Sequence, residues 1–154
     1  MSQRQAAGPA GEAQALAERV AQAMVARDRA SQGLGIRVVR VAPGSAELAM
    51  NVRPDMLNGH GTCHGGFVFI LADAAFSYAS NSYNLATVAS GCAIDFLAPA
   101  REGDRLTAVA QQVQVGERTG VYDIEVTASD GRRIALVRGR SHRISGRVVD
   151  DAAG

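Results

Sequence analysis

Between Asn58 and Ser77 a polar, glycine-rich loop runs into an apolar helix: Asn58-Gly-His-Gly-Thr-Cys-His64-Gly65-Gly66, then Phe67-Val-Phe-Ile-Leu-Ala-Asp73-Ala-Ala-Phe-Ser77. From Phe67 to Ala79 the only polar side chains are Asp73, Ser77 and the phenol of Tyr78. Apolar residues fall on every side, so the helix is expected to be buried almost all round. A carboxylate without a partner in such a helix is costly, or has its pKa displaced. Packing gives no reason for it, which makes Asp73 the candidate functional centre. It can serve as a general base activating water or as a nucleophile forming an anhydride. Both suit hydrolysis of an activated acyl group, and neither needs a metal or another cofactor.

Gly65-Gly66 stands where the helix begins, and the first N–H groups of a helix lack internal partners. Glycine admits a ligand close to the backbone, and the helix dipole favours negative charge developing there. Those are the requirements of an oxyanion site. Gly65 and Asp73 are eight residues apart, about 12 Å along one helix. Both cannot touch one carbonyl group from a single chain. If both act on one substrate, a second copy completes the site. Two such helices, antiparallel about a two-fold axis, bring Asp73 of one to Gly65 of the other, and a homodimer then holds two equivalent sites. His60 and His64 lack a third ligand and fall short of a zinc site. Cys63 and His64 are adjacent in sequence and make a poor nucleophile pair; His64 is expected to order the loop.

The chain has 154 residues, enough for one domain with a single core. Its hydrophobic fraction of 47% and charged fraction of 20% are those of a globular protein. A net charge of +1 argues against a nucleic-acid partner. All 16 basic side chains are Arg, so any phosphate must be held by Arg or by backbone amides. Cys63 and Cys92 do not make a disulfide framework. With no run long enough to span a bilayer and no signal-peptide core, the expected compartment is the cytoplasm, with no membrane partner.

Residues 1–11 carry no pattern and are expected to be a disordered lead-in. Leu16, Val20 and Met24 recur at helical spacing between Glu12 and Ala30, and Ser31-Gln32-Gly33 ends that helix. Two strands follow, the first with Leu34, Ile36 and Val38 on one face and Val39 and Val41 on the other. Pro43-Gly44 is their turn, and Ala46, Leu48, Met50 and Val52 alternate through the second. Beyond the apolar helix, 86–97 is a strand with small residues at Ala89-Ser-Gly-Cys-Ala93, a sign of close approach by a helix or ligand. Strands at 106–115, at Tyr122 to Ala128 and at 134–144 complete the set, with Asp130-Gly131 as a hairpin turn. Residues 12–146 form a single domain and 147–154 a tail without signal. The expected fold is α+β: an N-terminal helix and a six-stranded antiparallel sheet curled around the long helix, its last four strands joined as a meander.

The loop and helix segments, together with Ile94-Asp-Phe-Leu97-Ala-Pro99, Thr119-Gly-Val-Tyr-Asp-Ile-Glu125 and Arg138-Gly-Arg-Ser-His-Arg-Ile144, resemble the hotdog-fold thioesterases of the phenylacetate-degradation (PaaI) type. The matches run from about residue 45 to 145, in the right order. The resemblance implies a helix wrapped by six antiparallel strands and homodimers paired into homotetramers. It also implies hydrolysis of acyl-coenzyme A thioesters, with phenylacetyl-CoA and its ring-hydroxylated derivatives as substrates.

Position by position, the resemblance makes Asp73 the base or nucleophile and Gly65 the amide that polarises the thioester carbonyl. Asn58 becomes the loop amide that places water or the carbonyl, and His64 the residue before the glycine. A strand hydroxyl assisting the carboxylate corresponds to Ser90; Ser77, one turn beyond Asp73, shares its face. Each serine serves equally well as a small packing residue. Arg138, Arg140 and Arg143 on the last strand are candidates for the coenzyme A phosphates, although an arginine-rich strand is commonly just a solvated face. Phe76, Tyr83 and Leu57 are candidates for the acyl pocket. Two other readings are a hotdog hydratase, whose His–Asp arrangement is not visible here, and a non-catalytic acyl-CoA-binding hotdog module. The second leaves the carboxylate at Asp73 without a purpose.

Overall fold

A computed structural model describes residues 8–150. Helix α1 (Pro9–Arg27) starts with proline at its first position, where the missing N–H costs nothing. The last residues of the expected lead-in are therefore helical, and residues 1–7 lie outside the described residues. The expected single helix to Ala30 is in fact two. The Asp28 N–H closes α1 on the Met24 carbonyl at 2.8 Å, and its Oδ1 accepts from Ser31 N–H at 3.0 Å to cap α2 (Arg29–Gly33). Oδ2 of the same carboxylate accepts from the Tyr78 hydroxyl at 3.3 Å. One aspartate thus makes an elbow and ties it to the central helix.

Strands β1 (Arg37–Ala42) and β2 (Ser45–Asn51) form the expected hairpin, with Gly44 at φ +74° in its turn. A bulge between Val38 and Arg40 adds one residue. Val41 therefore returns to the core at 7% exposure while Val39 remains 49% exposed, although strict alternation puts both on one face.

Helix α3 (Gly65–Asn81) is followed by β3 (Thr87–Phe96), β4 (Arg105–Val115), β5 (Thr119–Ala128) and β6 (Arg133–Arg143). All pairings are antiparallel, in the order β1-β2-β4-β5-β6-β3. The expected four-strand meander is thus corrected: β4, β5 and β6 are a meander, but β3 pairs with β6 at the far edge. A sheet that curls around one helix needs a lip on each side of it. β3 supplies one lip, and the chain then crosses the end of the sheet to start β4 beside β2. The crossing segment is pinned by bonds from Cys63 N–H to the Ala100 carbonyl and from Val52 N–H to the Asp104 carbonyl, both 2.8 Å.

Val68, Leu71, Ala72, Ala75, Phe76 and Ala79 of α3 are buried against the sheet. Phe76 meets the Tyr122 ring at 5.4 Å between centroids. The helix is not enclosed all round, however. Gly66 is exposed and Ile70, Asp73 and Ser77 are half-buried, a stripe at spacings of three and four. The curled sheet stops short of closing over this stripe, which is the physical reason the expectation of all-round burial fails. The expected tail is also partly held: Asn84, in the left-handed region at φ 61° and buried, accepts from the N–H groups of Val148 and Val149 and donates to the Val149 carbonyl.

Gly139 of β6 lies directly under Phe76; a Cβ there would stand 2.9 Å from the ring. Phe76 is locked against Tyr122 and cannot yield. Gly139→Ala is expected to lower the unfolding free energy by about 1–3 kcal/mol, the range of core overpacking, as measured by urea denaturation.

Candidate active site

The loop before α3 is built around Asn58. Its N–H donates to the Thr62 carbonyl at 2.8 Å, and its carbonyl accepts from Gly61 N–H at 3.0 Å. The side-chain Oδ1 accepts from the N–H groups of His60 and Thr62 at 2.9 and 3.2 Å. Backbone donors thereby set the orientation of the amide and leave Nδ2 as an uncommitted donor. His64 is the N-cap of α3: its Nδ1 accepts from Gly66 N–H at 3.0 Å, so the neutral ring carries its proton on Nε2. His64 N–H in turn is fixed on the Met56 carbonyl.

That capping leaves the Gly65 N–H, at the positive end of the helix, with no acceptor among the described residues. Asn58 and Gly65 line a groove of about 400 Å³ together with Phe96, Leu97 and Pro99. Phe96 is 56% exposed and its ring lies where a Cβ on Gly65 would stand, at 2.9 Å. Sequence reasoning misses Phe96 as a site residue; its place in the Ile94–Pro99 stretch is the one signal that points to it. Cys63 is buried below the same groove with its Sγ toward the His64 carbonyl, and burial pushes its thiol up, away from nucleophilic use.

Asp73 opens into a different groove, of about 390 Å³, between α3 and the α1–α2 elbow. No hydrogen-bond or ion-pair partner holds its carboxyl among the described residues, and burial raises its pKa above the ordinary carboxylate value. Ser77 shares this groove, with its hydroxyl unpartnered among the described residues. The two grooves have no lining residue in common. A single chain therefore offers an amide-lined groove and a carboxylate-lined groove about two helical turns apart.

The remaining candidates are dispersed. Ser90 sits at a bulge in β3 and donates to the Arg140 carbonyl at 3.2 Å, outside the Asp73 groove. Arg138 makes a two-point contact with Asp123, at 2.7 and 2.9 Å, on the outer face of the sheet. Arg140 lies across Gly91 on that same face, and Arg143 lines a small cavity of about 110 Å³ with Arg118 and Tyr83. None of the three arginines lines either groove. Phe76 is core rather than pocket, Tyr83 bonds to Gln112 away from both grooves, and Leu57 forms a bridge with Cys63 that braces the loop. Among the described residues no three His, Cys, Asp or Glu side chains gather as a metal site, and no helix is long and apolar enough to cross a membrane.

The sequence matches the Thioesterase superfamily over residues 60–135. It is 50% identical over 132 residues to the acyl-coenzyme A thioesterase PaaI of Escherichia coli, an alignment covering 86% of this chain and 94% of that protein. The chain belongs to the PaaI-type hotdog thioesterases. It is an enzyme of that family, a thioester hydrolase. The structure of the E. coli PaaI protein from the phenylacetic acid degradation operon superposes with a TM-score of 0.86, over 87% of this chain and 97% of that one, at 49% identity. A mutant structure of the phenylacetic acid degradation protein PaaI from Thermus thermophilus gives 0.71 at 41% identity, over 74% and 97%. A hypothetical thioesterase from Streptococcus pneumoniae, solved with coenzyme A, gives 0.70 at 25%, over 73% and 88%. In this PaaI-type chain the matched superfamily segment starts at the capping loop and ends inside β6, so it takes in both grooves apart from Asn58 and the elbow.

The raised Asp73 pKa carries a stability consequence. The folded carboxyl holds its proton more tightly than the unfolded one. Stability therefore falls as pH rises from the unfolded carboxylate range through the raised value, and above it the ionised group remains a cost. Asp73→Asn removes that cost. Its denaturation midpoint is expected to lie above that of the wild type at pH 7, with the gap closing as pH is lowered through the Asp73 titration. A variant less stable than wild type at pH 7 would contradict the absence of a partner for this carboxylate.

Proposed function

We propose that the protein hydrolyses acyl-CoA thioesters, with phenylacetyl-CoA or its ring-hydroxylated derivatives as substrates in the cytoplasm, at sites shared between two subunits. The observation that carries this reading is the separation of the two half-sites on one chain: neither is complete alone, and each holds what the other lacks. In the shared site the thioester carbonyl oxygen accepts from Gly65 N–H of one subunit, with Asn58 Nδ2 beside it. Asp73 of the second subunit takes a proton from water as the water oxygen bonds to the carbonyl carbon. Negative charge on the former carbonyl oxygen is held at the helix N-terminus. The carbon–sulfur bond then breaks, the carboxylic acid is released and the coenzyme A thiolate takes up the proton. A carboxyl pKa raised by burial makes Asp73 a stronger base than an exposed aspartate. Direct attack by Asp73 yields the same products through an anhydride, and a single turnover in ¹⁸O-water separates the two by whether label enters Asp73. His64 orders the capping loop, and Ser77 is the serine placed beside the carboxylate.

The β3 edge supports a two-fold partner. It is unpaired along its outer side and exposes Val88, Phe96 and Leu97 next to the open stripe of α3. No Pro interrupts it, and it carries a single bulge, at Ser90. Antiparallel pairing of two such edges closes the stripe and sets the two helices in opposite directions. The homodimer pairs further into a homotetramer through the outer sheet face, where Leu136 is exposed above a concavity of about 700 Å³. The coenzyme A phosphates fall to arginines at the subunit boundary. Arg140, which has no ion pair among the described residues, suits that role better than Arg138, which is held by Asp123.

Asp73→Asn is expected to abolish thioester hydrolysis in a thiol-release assay, with the fold and dimer intact. Gly65→Pro removes the amide at a helix position that accepts proline, with the exposed Phe96 ring turning aside for the added Cβ, and is expected to be inactive too. Dissociated and reassociated together, the two inactive variants should recover about a quarter of wild-type activity, because half of the dimers then hold one complete site of two. Recovery of none would rule out sites shared between subunits; full activity in Asp73→Asn would rule out the carboxylate as the reacting group.

A further inference from the structure

The groove that holds Asp73 has a second wall which the reaction above leaves unassigned, the α1–α2 elbow. Met24 from α1 and Ile70 and Ala74 from α3 give apolar surface to a volume of about 390 Å³, of a size that holds a small ligand, and Arg27 and Asp28 stand on the elbow wall beside Met24. Ser31 of α2 lines the same groove although the residue is only 7% exposed. Its N–H donates to Asp28 and its carbonyl accepts from Ile36 N–H, but its hydroxyl has no partner among the described residues. No fully enclosed side-chain polar atom is left unpaired among the described residues, so this hydroxyl keeps some exposure, and the groove is the opening that its residue lines. A nearly buried hydroxyl kept free beside a catalytic carboxylate is a recognition element in want of a ligand oxygen.

The wall is also rigid. Asp28 holds both halves of the elbow and the Tyr78 hydroxyl at once, and Arg27 Nη1 donates to the Val148 carbonyl at 3.1 Å, strapping the elbow to the C-terminal segment. Its side chains are thus positioned before any substrate arrives, which favours discrimination between ligands over adaptation to them.

We propose that the elbow is the acyl-recognition wall of the site: Met24 and Ile70 clasp the apolar body of the acyl group, and the Ser31 hydroxyl exchanges a hydrogen bond with a hydroxyl on its aromatic ring. This assignment rests on the thioesterase reaction proposed above. It makes an element far from the glycine-rich loop in sequence the one that separates ring-hydroxylated from unsubstituted arylacetyl substrates.

The test compares kcat/KM for hydroxyphenylacetyl-CoA, phenylacetyl-CoA and acetyl-CoA in the full-length wild type, Ser31→Ala, Ser31→Thr and Met24→Phe. Loss of one neutral hydrogen bond lowers the hydroxyphenylacetyl-to-phenylacetyl ratio about three- to tenfold in Ser31→Ala, while Ser31→Thr, which keeps the hydroxyl, retains it. Met24→Phe narrows the groove and raises the acetyl-to-phenylacetyl ratio at least about tenfold. An unchanged ratio in Ser31→Ala overturns the role of the hydroxyl. If that variant does not fold, Met24→Phe decides: slowing of all three esters in equal proportion overturns the wall. A wild type that hydrolyses none of the three overturns the reaction itself, a result distinct from either of these.

Discussion

The enclosure of α3 is the constraint from which the rest of the structure follows. A helix this apolar must be covered, and one sheet is asked to cover it. Six antiparallel strands curl far enough to bury Val68, Leu71, Ala72, Ala75, Phe76 and Ala79, but the lips formed by β1 and β3 do not meet. The gap between them leaves the stripe of Ile70, Asp73 and Ser77 partly open. On one side the α1–α2 elbow narrows it; on the other stands β3, with its outer edge free. The carboxylate, the open edge and the elbow wall are all consequences of a sheet that cannot close.

Electrostatics divides the helix into two parts that act separately. The first turn of α3 holds no acidic residue; His64 meets the Gly66 N–H with its ring and the Phe67 N–H with its carbonyl, and the Gly65 N–H stays available among the described residues. Two turns further on, Asp73 lies beyond the reach of that terminus, where burial works against its charge and nothing nearby relieves it. The donor for a developing oxyanion and the acceptor for a proton are thus set on one rigid rod at a fixed separation. Under the proposed mechanism that rigidity calls for a second copy of the rod, since bending the helix to unite them would break the core that Phe76 anchors.

Much of this arrangement is legible in the chain itself. Asp73 stands out because it is the one carboxylate in an apolar run, and the eight-residue interval to Gly65 converts directly into a distance because helices have a fixed rise. Asn58 and His64 are found as loop residues, although their hydrogen bonds, one turn organiser and one cap, become visible only with the backbone in place. The strand order is less legible: alternation identifies each strand but carries no information on which strand lies beside which, and β3 takes the far lip because enclosure demands one there. The elbow is not legible at all. Helical spacing runs unbroken through Asp28, and its local caps on Met24 and Ser31, with the Tyr78 hydroxyl 50 residues away, show why the chain turns at that point. The last-strand arginines illustrate the converse, a conspicuous run of charge of which Arg138 is already committed to Asp123.

The small residues of β3 show how one strand serves packing and access together. Gly139 faces α3, since a Cβ there would meet the Phe76 ring, and its cross-strand partner Cys92 therefore faces α3 as well. The charge of Asp73 helps raise the Cys92 thiol, behind the larger effect of burial, which places the carboxylate close to that strand. Their neighbours Gly91 and Arg140 face outward, where the guanidinium lies over the bare backbone of the glycine. A bulky residue at 92 would push the lip away from the helix, and one at 91 would displace the arginine. With neither present, the lip comes up beside Asp73 without covering it, and the outer edge of β3 remains unpaired at the place where a second copy would need to bring its glycine.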